Sequence, residues 1–229
     1  MPGLHGNPRH TPVHRALIPI ALLLLAGCAV KLRPEYAIPK PLLEPMNASA
    51  GLLLDESLRN YIHEETRAGG NWKIELGPGH EKLFRSMFGA SFRNLQVFES
   101  LDAARAAKSL QVIFEPGIEE FSFISSRETE GHWAVTIRYR IEVLDPSGAP
   151  VDSFTLNGYG SSIGEHGSEA SLAAATGAAM RDAAAKFLVQ LPRQPLAQKL
   201  ATGAPVSIAD KAVVKVDVVE MVPIDPQGP

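Results

Sequence analysis

Cysteine occurs once in these 229 residues, at position 28. A single thiol has no partner for a disulfide, so the fold must hold together by packing alone. Runs of one charge sign are missing as well. The chain carries 22 basic and 25 acidic residues with no basic block. Nucleic acid is therefore not an expected partner. Long apolar runs are absent after residue 26, and no later segment approaches the roughly 20 residues that a membrane-spanning helix needs. The histidines lack the i, i+4 pairing that sets two metal ligands on one helix face. His63 with Glu64 and Glu65, His80, His132 and His166 are scattered, and are expected to be solvated polar positions with no metal or cofactor among them.

What is present begins at the N-terminus. Residues 1–15 contain Arg9 and Arg15 and no acid, and Ala16 to Ala26 is almost wholly apolar. This is a positive region followed by an apolar core of signal-peptide length, about half of what a bilayer requires. Leu25-Ala26-Gly27-Cys28 closes it. That tetrapeptide resembles the lipobox of bacterial lipoproteins, which is cut before its cysteine. The resemblance implies a leader over 1–27 and a lipid on Cys28. Because Ala29 and not Asp follows, it also implies outer-membrane anchoring with the protein facing the periplasm. The other reading of these residues is a short helix with a buried cysteine. Loss of the leader leaves 20 basic against 25 acidic residues, a net of −5, on 202 residues, enough for one domain with its own core.

Residues 28–50 carry Pro34, Pro39, Pro41 and Pro45 and show no apolar period, which reads as a semi-extended tether or as a loop strapped over the domain. The domain is expected over 51–192. Leu52-Leu53-Leu54 opens it as a buried run. Leu58 to Ile62 is read as extended, although 55–66 also fits a helical face. Trp72 to Leu76 alternates as a half-buried strand. Gly77-Pro78-Gly79 then breaks the chain before an amphipathic helix marked by Leu83, Phe84, Met87, Phe88 and Phe92. Leu95 to Phe98 is the next strand, and Ala103 to Lys108 a short helix or turn.

The second half is strand-rich. Gln111 to Phe114 leads through Pro116-Gly117, where a bend or bulge is expected, into Ile118 to Ile124. Val135, Ile137, Tyr139, Ile141 and Val143 occupy alternate positions with Thr136, Arg138, Arg140 and Glu142 between them. This is a strand with one wet face. Asp145-Pro146-Ser147-Gly148 is turn chemistry, and Val151 to Tyr159 should return as the hairpin partner. Gly160 to Gly167 reads as a loop, and Ser168 to about Leu191 as an alanine-rich helix. Residues 193–229 form a Pro- and Gly-punctuated tail with a possible strand at 211–219. The order of elements predicts an α+β fold, a mostly antiparallel sheet with two helices packed on one face.

Catalytic patterns are few. Gly160-Ser161-Ser162-Ile163-Gly164 matches G-x-S-x-G, but the nucleophile elbow needs a parallel strand turning straight into a helix, and a histidine brought in from a separate loop. Only His166 follows it. Gly77-Pro78-Gly79 has the form of an anion site at a helix start, though a strand-to-helix turn explains it fully. Glu119 and Glu120 are neighbours, expected on opposite faces of a strand and so unable to act as a pair. No catalytic residue is expected.

Over residues 51–190 the order of elements resembles small outer-membrane lipoproteins such as the YajG-like group and the auxiliary lipoproteins of ABC-type transport and envelope-assembly systems. The features are an apolar first strand, a Phe- and Leu-rich helix, a long meander with a D-P-x-G turn and an alanine-rich last helix. The resemblance implies a non-enzymatic, lipid-anchored accessory or scaffold with a protein partner in an envelope complex. A carrier of an apolar ligand, lipid or glycolipid, is the alternative, and a serine hydrolase using Ser162 a third.

Overall fold

The structure, a computed structural model, describes residues 29–32, 44–125, 127–128, 131–164 and 169–207. The leader, Cys28, His166 and the proposed strand 211–219 lie outside the described residues.

Within that range the chain runs β1 (Ala29–Leu32), β2 (Met46–Leu53), α1 (Glu56–Arg59), β3 (Ile62–Arg67), β4 (Gly70–Glu75), α2 (Gly77–Ser91), β5 (Phe92–Phe98) and α3 (Leu101–Ala106). It continues with β6 (Val112–Ile124), β7 (His132–Leu144), β8 (Pro150–Ile163) and α4 (Glu169–Gln190). A 3₁₀ turn (Leu191–Arg193) and α5 (Pro195–Ala201) close it. The fold is α+β. Its main sheet has the order β5-β2-β6-β7-β8, and a smaller sheet has the order β1-β4-β3.

The main sheet is mixed. β6, β7 and β8 form the antiparallel meander, while β2 lies parallel to both β5 and β6. The alternation of β7 is realised in full: Val135, Ile137, Tyr139, Ile141 and Val143 are buried and Thr136, Arg138 and Arg140 exposed. α2 and α4 cover that buried face together and meet through Phe88 and Phe187, whose rings are 4.8 Å apart. On the other face α3 closes a smaller cluster of Leu53, Ala104, Leu110, Ile113 and Leu144.

α4 approaches β8 backbone to backbone. A Cβ on Gly158 would collide with the carbonyl oxygen of Ala179, and one on Gly160 with the carbonyl of Ala175 and the amide of Ala179. Ala175, Ala179 and Ala183 recur every four residues, so one smooth stripe of the helix faces the glycines. Large side chains on either element would hold the two apart.

Several expectations are corrected. Gly160 to Ile163 is strand, paired with β7 from Val135 to His132. Glycine and serine are poor strand formers, but here the helix needs the space a side chain would take. Residues 55–60 form a single helical turn capped by Asp55, whose carboxylate accepts from the Leu58 amide, and only from Ile62 is the chain extended. The bend expected at Pro116-Gly117 is absent there: both residues keep register with Ile141 and Arg140, and the irregularity falls between Ile118 and Glu120. β2 pairs with β6 only as far as Phe114, so the missing amide of Pro116 breaks no ladder bond with it.

The ends of the domain also move. Ala29–Leu32, within the stretch read as a tether, is a strand parallel to β4, and β2 begins at Met46, not near Gly51. Part of the supposed tail is equally ordered. Gln111 donates to the carbonyls of Leu200 and Ala204 and accepts from the Val206 amide, fastening the chain to the sheet as far as residue 206.

Gly160→Ala is expected to lower stability by at least about 2 kcal/mol, because the helix must shift to admit the methyl group. Ser161→Ala, next to it on the exposed face, should stay within about 0.5 kcal/mol. Denaturant titration of both variants checks this, and equal midpoints would show that α4 does not rest on β8.

Candidate functional site

The end of the molecule where β1 starts brings together features far apart in sequence. Ala29 is in register with Asn71, so the chain enters beside the β3–β4 turn. That turn is tied to the β6–β7 connection: Arg127 donates to the Ala68 carbonyl at 3.1 Å, and Arg67 bonds Glu128 at 3.2 Å. Behind them Trp72 packs edge-on against Phe123 and Trp133, with centroids at 5.4 and 5.6 Å, and Arg67 lies over the Phe123 ring. Cys28 lies outside the described residues; its successor, Ala29, is hydrogen-bonded into a sheet.

The same end carries exposed apolar side chains. Ile163 closes β8 and is 81% exposed, and Ile124 closes β6 at 42%. Register puts Ile124 across from Ala134 and Ile163 across from His132, all on the open face of the meander. Tyr159 stands further up the same face, 57% exposed. Higher still, the face is charged, with Arg138 paired to Glu120 at 3.3 Å and Arg140 to Glu142.

Ser162 is not placed as an elbow nucleophile. It sits inside the antiparallel strand β8, opposite Trp133, and its hydroxyl donates to the Ser171 carbonyl at 2.6 Å. It thus ties the strand to the first turn of α4. His132, at the neighbouring position of β7, is across from Ile163. Of the motif's glycines, Gly160 admits the helix, and the Gly164 amide donates to the Gly131 carbonyl.

The histidines divide. His132 is exposed, as expected of a solvated position. His63 is mostly covered: its ring lies 4.9 Å from that of Phe121, and its Nε2 is 3.0 Å from Glu65. His80 contradicts the expectation outright, being wholly buried. Its Nδ1 lies 2.7 Å from the Leu76 carbonyl and its Nε2 2.9 Å from the Tyr139 hydroxyl. A carbonyl only accepts, so Nδ1 carries the proton and the tyrosine donates to Nε2. Burial pushes the imidazole down to about 4, against a smaller opposing pull from the Leu76 carbonyl. It is a structural hydrogen-bond node between α2 and β7.

Glu119 and Glu120 do not face opposite ways. The bulge makes Ile118 and Phe121 the inward residues and leaves both acids exposed, Glu120 against Arg138 and Glu119 within the field of Arg140. They are neutralised by arginines, not poised as an acid–base pair. Gly77 opens α2 with its amide donating to the Tyr61 carbonyl, and a Cβ there would fall on the Arg59 carbonyl. Close packing explains this glycine without an anion. A groove of about 310 Å³ lies on the β3–β4 hairpin, lined by Glu64, Glu65, Thr66, Asn71, Trp72 and Lys73. Among the described residues no group of three or more His, Cys, Asp or Glu side chains is arranged to hold a metal, and no helix is long and apolar enough to cross a membrane.

No family model matches the chain, and no curated protein does either. Solved structures with a similar chain path include protein XCC0632 of Xanthomonas campestris, of the DUF330 family. It is 12% identical, with a TM-score of 0.49 over 74% of this chain and 99% of that one. The PelC dodecamer of Paraburkholderia phytofirmans is 17% identical over 65% and 94%, with a TM-score of 0.33. Lipoprotein GNA1162 of Neisseria meningitidis is 9% identical over 52% and 88%, with a TM-score of 0.30. At this level the likenesses carry nothing about function.

His80 gives the fold an acid-sensitive contact. An imidazole lowered by burial stays neutral in the fold while the unfolded chain takes up the proton, so stability is complete above about pH 6.5. It falls as pH drops toward 4, by a total on the order of 3 kcal/mol. Urea titrations from pH 7.5 to 5 should show this slope in the parent and a flatter one in His80→Gln. Carboxylates with lowered values, such as Asp145 and Asp182, add their losses only below about pH 4.5.

Proposed function

We propose that this chain is a lipid-anchored periplasmic protein of the outer membrane, attached through Cys28, that serves without catalysis as an accessory or scaffold of an envelope complex. The observation that carries the reading is the placement of Leu25-Ala26-Gly27-Cys28 directly before the first hydrogen-bonded strand. A leader cut there would release a chain that begins at the edge of its own fold.

The interior supports a scaffold more than a carrier. A carrier of lipid or glycolipid needs an apolar cavity of several hundred Å³ between sheet and helices. That space holds Phe84, Phe88, Phe92, Phe114, Tyr139 and Phe187, all nearly or fully buried, with Phe84 against Tyr139 and with Phe92, Phe114 and Phe187 packed around Phe88. The groove on β3 and β4 is lined largely by polar and charged side chains. The open face of the meander offers what a protein partner would use, apolar side chains at one end and paired charges beyond them.

Cys28→Ala is expected to abolish incorporation of radioactive fatty acid and to shift the protein from the membrane pellet to the soluble fraction. Persistence of label in that variant would overturn the anchor. Ser162→Ala loses one hydrogen bond to Ser171, about 0.5–1.5 kcal/mol, and should complement a deletion strain as well as the parent does. Failure of that serine variant at normal abundance would restore the hydrolase.

A further inference from the structure

We infer that the end of the sheet beside β1 is a membrane-contacting surface, with Ile163 and Ile124 lodged in the interfacial layer of the bilayer to which Cys28 is attached. The inference rests on the anchor reading and adds an orientation to it.

A residue in a chain spans at most about 3.6 Å, so a lipid on Cys28 puts Ala29 within a few ångströms of the headgroups. Ala29 is fixed in register to Asn71, next to the β3–β4 turn. That turn is bonded to the β6–β7 connection through Arg127 and Glu128. The connection in turn holds the end of β8, since the Gly164 amide donates to the Gly131 carbonyl at 3.0 Å. Each link is a hydrogen bond or an ion pair, so these segments lie side by side at one end of the molecule. A bilayer close to Ala29 is close to Ile124 and Ile163 too.

The distribution of apolar side chains agrees. Five large apolar residues are exposed among those described: Ile62, Ile124, Tyr159, Ile163 and Val189. Two of them are the terminal residues of β6 and β8 at this end, and Ile163 is the most exposed of all. The opposite end of the meander is polar, made of the Asp145–Ala149 turn with Arg105 against Gly148. Singly, an exposed isoleucine means little. Two at strand ends on the anchored side have a partner of matching chemistry already brought to them by the chain. The headgroup layer is only about 5–8 Å deep on each side. Tyr159, four residues or about 13 Å back along β8, lies beyond that layer on the aqueous side.

The sole cysteine makes the test clean, because once it is acylated a new cysteine is the only free thiol. Ile163→Cys and Ser147→Cys, at opposite ends of the meander, are purified as the lipidated full chain and labelled with an environment-sensitive fluorophore. They are then reconstituted into vesicles of phosphatidylethanolamine and phosphatidylglycerol. The label at 163 should be quenched several-fold more by doxyl lipid than by aqueous iodide, and the label at 147 the reverse. Both sites are exposed, so neither substitution burdens the core, and matching thermal melts confirm that. Vesicle flotation is scored in parallel. A protein that floats while its 163 label answers only to iodide overturns the orientation and leaves the anchor standing. One that does not float overturns both.

Discussion

The backbone contact between α4 and β8 is the constraint on which the rest of the structure depends. Two glycines on the strand and three alanines on the helix remove the side chains that would otherwise keep the two about 10 Å apart. From that seat α4 reaches around the edge of β8. Asp182 accepts from the Tyr159 amide and Lys186 donates to the Asn157 carbonyl. An edge strand is a template for unwanted pairing, and here its outward groups are partly occupied by the helix beside it. The same seat delivers Phe187 to Phe88 and Phe154, so the aromatic core is registered by residues that carry almost no side chain.

How much of this was legible follows from where each segment finds its partner. β7 could be read because one of its faces meets water along its whole length, and the alternation of Val135 to Val143 records that. α2 could be read from its Phe and Leu spacing. β1 could not. Four residues, Ala-Val-Lys-Leu, carry no period, and their partner lies some forty residues away in β4. The turn of helix after Asp55 is too short to show a helical stripe and depends on its cap. Gly160 to Ile163 was misread because its composition reports a packing demand from α4 and not a local preference.

The candidate site was legible only in part. Leu25 to Cys28 is a local pattern and can be seen without a fold. The apolar end of the meander cannot, since Ile124 and Ile163 look like the inward residues of ordinary strands until register assigns them to the open face. The bulge at Glu119 is the reverse case: one extra residue turned an acid that alternation would have pointed inward back to the arginines. His80 went unread because a proline- and glycine-flanked histidine at a helix start looks solvated until Tyr139 is placed above it.

The parallel pairing of β1 with β4 also decides how the domain answers to force. A pull on residue 28 away from the protein runs along the axis of β1, opposite to the strand's own direction. The four registered pairs from Ala29 to Leu32 are then loaded together in shear, where an antiparallel hairpin pulled from its open end would unzip one pair at a time. Resistance is shared across the strand and passes through β4 into the Trp72, Phe123 and Trp133 packing. Were residue 28 to carry the proposed lipid, a load on it would fall on β1, a strand whose geometry spreads it.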